Sequence, residues 1–402
     1  MIHYKEALEI VLHHTRDYGR EKVPLKKAVN RILAEDIKAD RDFPPFNRAT
    51  KDGITLNYKA VENGRKAFEI TGVLAAGTPA SVLKDQESCM EIMTGAVVPY
   101  DADTVVMYEH LEVEKGIATL KSVPVKGQNI HPRGSDTGKG DVILKANARI
   151  TPAMIGVLAS VGVAEVTVKK LPRVAVISTG NELVDIDQIP EAHQIRRSNT
   201  YSLHAALCRE GIESMMLHLQ DDKDIIRQKL DYVIDEMDVV LLSGGVSKGK
   251  FDFIPVVLQE IGIEKGFHGV RQRPGKPFWF GFHPNKGTLV FSFPGNPVST
   301  YANYHLYFRS WLQKSMGVPV VKKSVTIDQE IRNSTPLTLF LQVTLNWKDA
   351  QLKATLVKAN GSGDLVSLAK SDGLIQLEPR AETYSPGEVV PFYPIKELTY
   401  DT

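Results

Sequence analysis

The sequence predicts a multidomain protein of class α/β plus β, built around a central doubly wound, mostly parallel sheet. Three observations predict it. Residues 173–316 alternate short, continuous apolar runs with amphipathic helical stretches, the pattern of a parallel sheet covered on both faces. Residues 54–145, and those after Gly317, carry short β-rich runs punctuated by Gly, Pro and Asp. A chain of 402 residues also exceeds what one ordinary core holds, so two to four domains are expected. The expected division is a discontinuous N-terminal helical and mixed region at 1–45 and 146–172, and a β-rich insert at 46–145. The α/β domain follows at 173–318, and a small β-barrel-like domain at 319–402.

Residues 4–17 read as a helix, with Ala7, Leu8, Val11 and Leu12 on one stripe. Residues 28–37 form either a second short helix or a strand pair, and Pro44 with Pro45 breaks the chain. Strands are expected at 96–98, 104–107, 118–120 and 141–144. Pro152 then sits in the first turn of a helix, where its missing N–H costs little. Within the α/β region, strands are expected at 174–177, 215–219, 239–242 and 288–293. Helices are expected at 198–211, 222–236 and 253–260, with a last one from Pro297. The C-terminal strands are expected at 321–331, 338–347, 351–358 and 387–393.

Composition excludes several classes. The 49 basic and 48 acidic side chains nearly cancel, so no global field draws the chain to nucleic acid or an anionic membrane, and any anion site must be local. No run of about 18 apolar residues predicts a membrane span. Glu6 and Glu9 interrupt the apolar pattern at the N-terminus, which suits an amphipathic helix and not a signal peptide. Two cysteines, Cys89 and Cys208, are too few for a disulfide framework and read as buried structural thiols, consistent with a cytoplasmic setting.

In an open α/β sheet, ligands bind beyond the carboxyl ends of the strands. Three expected loops lie there: Ser178-Thr179-Gly180-Asn181-Glu182, Ser243-Gly244-Gly245-Val246-Ser247 with Asp252 beyond it, and Pro294-Gly295-Asn296-Pro297. Glycine lets backbone N–H groups approach an anion, and a following helix N-terminus adds a favourable dipole. Neither GxGxxG nor GxxxxGK[ST] occurs, which disfavours dinucleotide and Walker-type sites. Between the second and third loops, Arg271-Gln272-Arg273-Pro274-Gly275-Lys276-Pro277 presents cations on a rigid turn, either to clamp an oxyanion or as a solvated face. Asp221 and Asp222 either ligate a divalent metal or cap a helix, with capping preferred for Asp222.

These motifs occur together and in order with Pro44-Pro45-Phe46, Asp52-Gly53, Met93-Thr94-Gly95-Ala96, and Arg133-Gly134 with Asp136. The set, spread over nearly the whole chain, resembles the molybdopterin molybdenumtransferases, the family that includes bacterial MoeA and the E domain of gephyrin. The resemblance implies an enzyme of molybdenum cofactor biosynthesis that inserts molybdate into adenylylated molybdopterin and releases AMP. It implies a homodimer whose cleft joins the α/β domain of one subunit to the β-rich insert of the other, with transient contacts to other enzymes of the cofactor. A divalent cation such as Mg2+ is implied as well. By position, Asp52, Asp136, Glu182 and Asp252 are the implied catalytic carboxylates, and Asp222, Asp252 and Glu182 the implied metal ligands. Thr94, Ser178, Thr179, Gly180, Gly244, Gly245, Ser247, Arg273, Lys276, Pro294, Gly295, Asn296, Pro297 and Ser362 are the implied substrate-binding residues.

The chain departs from the family pattern at four positions. Asn181 stands where Asp is common, Lys51 where Met is usual, Arg197 where Asp precedes Ser-Asn, and Gln342 where an arginine is usual. These bear on how substrate is held more than on the fold; Gln342 is either a weakened substrate contact or an exposed strand residue. Two other readings are a molybdopterin adenylyltransferase, whose fold resembles 173–316 alone, and a divergent, non-catalytic pterin-binding or scaffold paralogue.

Overall fold

The computed structural model describes residues 1–246, 252–319, 321–348 and 351–396. The chain separates into two compact units, one of Val23–Val29 and Leu33–Val166, the other of Met1–Lys22, Asn30–Ile32 and Thr167–Thr402.

The first unit is built on a six-stranded mixed sheet. Its strands are β1 (Gly53–Leu56), β2 (Ala67–Leu74), β3 (Ser88–Ile92), β4 (Thr104–Met107), β5 (Leu111–Glu114) and β6 (Ile117–Leu120), in the order β4-β1-β3-β2-β6-β5. β2 and β3 run parallel, and the other pairs are antiparallel. Both faces carry apolar clusters, Ile54, Phe68, Cys89 and Val106 in one and Leu74, Ile92, Val98 and Val105 in the other. Burial pushes the Cys89 thiol up to about 12. Residues 96–98, expected as a strand, follow a turn and make one isolated bridge, Val97 to Arg48. Pro152–Ser160 is a helix as expected, capped by the Thr151 hydroxyl, which accepts from Met154 N–H at 3.3 Å.

The second unit holds the α/β sheet. Its strands are β7 (Val174–Thr179), β8 (Met215–Leu219), β9 (Val239–Ser243), β10 (Glu264–His268), β11 (Trp279–Phe282) and β12 (Leu289–Phe293), in the order β8-β7-β9-β12-β11-β10. The first four run parallel, and the last two form an antiparallel extension. Alternation along each strand feeds two cores. Val174, Val176, Val239 and Leu241 face one cluster, and Ala175, Ile177, Val240 and Leu242 the other. Helices α1 (Tyr4–His13) and α2 (Asn199–Arg209) cover the first face; α3 (Lys223–Glu236) and α4 (Ile254–Glu260) cover the second. Because β7 has β8 on one side and β9 on the other, the order of strand addition reverses there, which opens a crevice at the strands' carboxyl ends.

The C-terminal strands are β13 (Lys323–Ile327), β14 (Thr338–Lys348), β15 (Gln351–Leu356), β16 (Gly373–Leu377) and β17 (Val389–Pro394). They pair in the ring β14-β15-β13-β17-β16, and β16 pairs back to β14, so five strands close a small barrel around Ile327, Val343, Ile375 and Phe392. Cys208 differs from expectation: it is exposed, with its sulfur 3.5 Å from His204 Nε2. On α2 it falls on the side away from Leu203 and Leu207, which the core takes.

Candidate active site

Four loops and part of the barrel surround one cavity of about 1050 Å³ in the second unit. The end of β7 and the loop after it bring Ser178, Thr179, Gly180 and Glu182, and the loop after β9 brings Gly244, Gly245 and Asp252. The turn before β11 brings Arg273 and Lys276, the loop after β12 brings Pro294, Gly295, Asn296 and Pro297, and the barrel adds Ser362. Fourteen expected site residues thus line one cavity (the residues just named). Ser247 lies outside the described residues.

Backbone geometry explains the glycines at the first two loops. Gly180 has φ +136°, and a Cβ there would stand 2.3 Å from the Glu182 carboxylate. Gly244 has φ +102°, with Thr179 O and Oγ1 both 2.9 Å from an added Cβ. Both backbone conformations are ones that L side chains rarely adopt, and at Gly244 a side chain would also press on the Thr179 backbone.

Side-chain amides tie the loops together. Asn199 Nδ2 donates to Ser243 Oγ at 2.9 Å and to Gly295 O at 2.6 Å, joining α2 to the loops after β9 and β12. Asn296 Nδ2 donates to Ser362 Oγ at 2.9 Å, and Val298 N–H donates to Ser362 O at 3.0 Å, which fastens the proline-rich loop to the barrel. The cationic turn is held from beneath. Buried Gln272 donates through Nε2 to Pro274 O at 2.9 Å and Asn303 Oδ1 at 2.8 Å, and accepts from the Tyr307 hydroxyl.

Asp222 is placed differently from the metal-ligand expectation. Its Oδ1 accepts from Asp224 and Ile225 N–H at 3.0 and 2.9 Å, so it caps α3, and it is Asp221 that lines the cavity. Among the described residues no three His, Cys, Asp or Glu side chains converge as a metal cage.

Sequence reasoning did not single out His218, and it left Gln342 open. Ser178 Oγ lies 3.1 Å from His218 Nδ1, and the ring is held below the ordinary histidine value by burial and then by the Arg197 charge. Gln342 is not an exposed strand residue: it is 7% exposed, lines the cavity, and its Oε1 has no hydrogen-bond partner among the described residues. The hydroxyls of Thr179 and Thr200, also buried and on the cavity, likewise lack partners among the described residues. Such orphaned groups cost about 1–3 kcal/mol each unless a ligand or water satisfies them. No periodicity marks them, since only tertiary closure buries them.

The remaining expected residues, Asp52, Thr94 and Asp136, belong to the other unit. Asp52 Oδ1 accepts from Thr94 N–H at 2.6 Å and from its hydroxyl at 2.7 Å. The backbone bond, then the hydroxyl bond, hold the Asp52 carboxyl below the usual carboxylate range. Asp136 Oδ1 lies 2.8 Å from His131 Nε2, and the ring's Nδ1 lies 3.3 Å from the Arg48 guanidinium.

A crevice at the reversal point of a parallel sheet, ringed by glycine turns, cations and carboxylates, defines a protein built to hold an anionic small molecule. Three protein-family models match in sequence. They are the MoeA N-terminal region (domain I and II) over residues 2–162, a probable molybdopterin binding domain over 175–314, and the MoeA C-terminal region (domain IV) over 325–395. A molybdopterin molybdenumtransferase of Synechocystis is 37% identical over 98% of this chain and 100% of its own length. One from Staphylococcus aureus is 31% identical over 96% and 94%. The crystal structure of a molybdopterin biosynthesis MoeA protein from Pyrococcus horikoshii OT3 superposes with a TM-score of 0.82 at 28% identity, covering 98% of this chain and 100% of that one. The chain belongs to the molybdopterin molybdenumtransferase family.

Proposed function

We propose that the protein inserts molybdate into adenylylated molybdopterin, releasing AMP and molybdenum cofactor. The observation that carries this reading is the meeting of Arg273, Lys276, Glu182 and Asp252 around one cavity whose walls include unpartnered polar atoms. Molybdate and a phosphoanhydride are both anionic, so cations and turn N–H groups must offset their charge. Glu182 and Asp52 are suited to take the protons exchanged as oxo ligands give way to dithiolate sulfur. The site as described supplies at most one or two carboxylates to a divalent cation such as Mg2+, which commonly completes its shell with water and substrate phosphate. When bound, that cation would polarise the phosphorus; Asp252 and Glu182 are the carboxylates proposed to hold it.

The four-domain division, with boundaries near residues 46, 146, 173 and 319, belongs to the same proposal. So does a homodimer in which the insert of one subunit, carrying Asp52, Thr94 and Asp136, completes the cavity of the other. A cytoplasmic setting and passing contacts with other cofactor enzymes accord with a small-molecule biosynthetic role; among the described residues no helix is long and apolar enough to cross a membrane. Both N- and C-terminal regions match MoeA models, which leaves the adenylyltransferase alternative without support. Incubation with adenylylated molybdopterin, molybdate and Mg2+ should release AMP in step with cofactor formed, and no release above a protein-free control would refute the assignment. Light scattering at micromolar concentration should give twice the chain mass, and a monomer would refute the dimer.

A further inference from the structure

Arg197 lies at the entry to α2 and lines the cavity, with a side chain only 14% exposed. One edge of its guanidinium is tied through NH2 to Asp185, while Nε is buried with no partner among the described residues. Asp185 is occupied in turn: it accepts from the Tyr201 hydroxyl at 3.0 Å and from Ile186 N–H at 2.8 Å. Those bonds, the Ile186 one first, hold the Asp185 carboxyl below its ordinary range, so it stays an anion that anchors the arginine.

The residues after Arg197 continue the same surface. Ser198 precedes α2 without a side-chain hydrogen bond to its first-turn amides, and Thr200, 1% exposed, carries the unpartnered hydroxyl noted above. Arg197, Ser198, Asn199 and Thr200 all line the cavity. A desolvated guanidinium beside an eleven-residue helix whose first turn has no side-chain cap is a combination suited to a tetrahedral oxyanion.

We infer that Arg197 is a substrate-binding residue that holds one dianionic tetrahedral group at the start of α2, either the nucleotide phosphate or molybdate. Asp185 fixes the fork while leaving other donors for the ligand, since guanidinium offers five N–H groups and the carboxylate spans only one edge. The inference deepens the proposed activity and rests on it for the identity of the oxyanion. It gives the cavity a cation from a loop other than the one that carries Arg273 and Lys276, in a chain that has Gln342 on the barrel strand.

The test is calorimetric titration of the full-length protein and its Arg197→Gln and Arg197→Lys variants with AMP, adenosine and sodium molybdate. For a phosphate contact, Arg197→Gln weakens AMP roughly tenfold or more and leaves adenosine unchanged, with Arg197→Lys between the two. A loss confined to molybdate keeps the oxyanion role and names molybdate as the ligand. Unchanged affinity for both anions overturns the inference, as does equal weakening of AMP and adenosine, or a wild-type protein that binds neither anion. AMP release by the wild type is measured in parallel. Its absence counts against the proposed activity, while the binding arms still decide the role of Arg197.

Discussion

Asn181 and Asp221 hold each other at both ends: Asn181 N–H donates to Asp221 Oδ2 at 3.2 Å, and Asp221 N–H donates to Asn181 Oδ1 at 3.0 Å. The pair locks the loop after β7 to the loop after β8, and Glu182 is the next residue on the first of them. Asn181→Ala removes one of the two bonds and should cost up to about 1 kcal/mol of stability. The larger effect should fall on AMP release, because Glu182 loses its fixed support. Denaturant unfolding and turnover on the same sample check this; an equal activity would mean the clamp does not position Glu182.

Asp252→Asn should abolish AMP release and leave the protein folded. The residue lines the cavity near the Gly244-Gly245 turn, and an amide cannot replace a carboxylate that counters charge at phosphorus. Unchanged turnover at saturating Mg2+, with an unaltered circular dichroism spectrum, would remove Asp252 from the site.

Gln342→Arg should tighten binding of adenylylated molybdopterin by about one order of magnitude and steepen its dependence on salt. A charge-assisted bond is worth roughly 1.5–3 kcal/mol against about 1 for a neutral one. Burial of Gln342 on the cavity wall is what makes the new charge effective. Titration at two ionic strengths decides it, and identical affinities at both would exclude position 342 from ligand contact.

Thr94→Val should raise the pKa of Asp52 towards the ordinary carboxylate value. The rise is partial, because the Thr94 N–H bond, the larger cause of the depression, remains. The sign follows from linkage. A depressed carboxyl adds stability above the ordinary carboxylate range, and that contribution fades as pH falls through its lowered value. NMR titration of the Asp52 carboxyl carbon reads the shift, and an unmoved midpoint would show that the hydroxyl bond has no weight.

Much of this architecture is legible because β7, β8, β9 and β12 are short apolar runs between helices of regular period. Expected and observed bounds differ there by only a residue or two. β10, β11 and β16 lie outside the expected strands: Glu264–His268 opens on Glu-Lys-Gly with no apolar alternation, and the other two are runs of only four and five residues. At the site, glycine turns and proline loops announce themselves through backbone needs. The division of labour between Asp221 and Asp222 does not, because adjacent carboxylates at a helix entry look alike until the first turn chooses its cap. The burial of Gln342 is likewise invisible, since it depends on a barrel packed against a sheet distant in sequence.

Ser362 offers its carbonyl to Val298 N–H and its hydroxyl to the Asn296 amide, so one residue beyond the barrel strand β15 fastens two points of the cavity wall. Phe340, Leu374 and Ile395, from the C-terminal region, lie in the same core as Val174, Leu241 and Phe291 of the α/β sheet. The barrel cannot leave that wall without bringing apolar side chains into water, so barrel and sheet keep the cavity's outline as one piece.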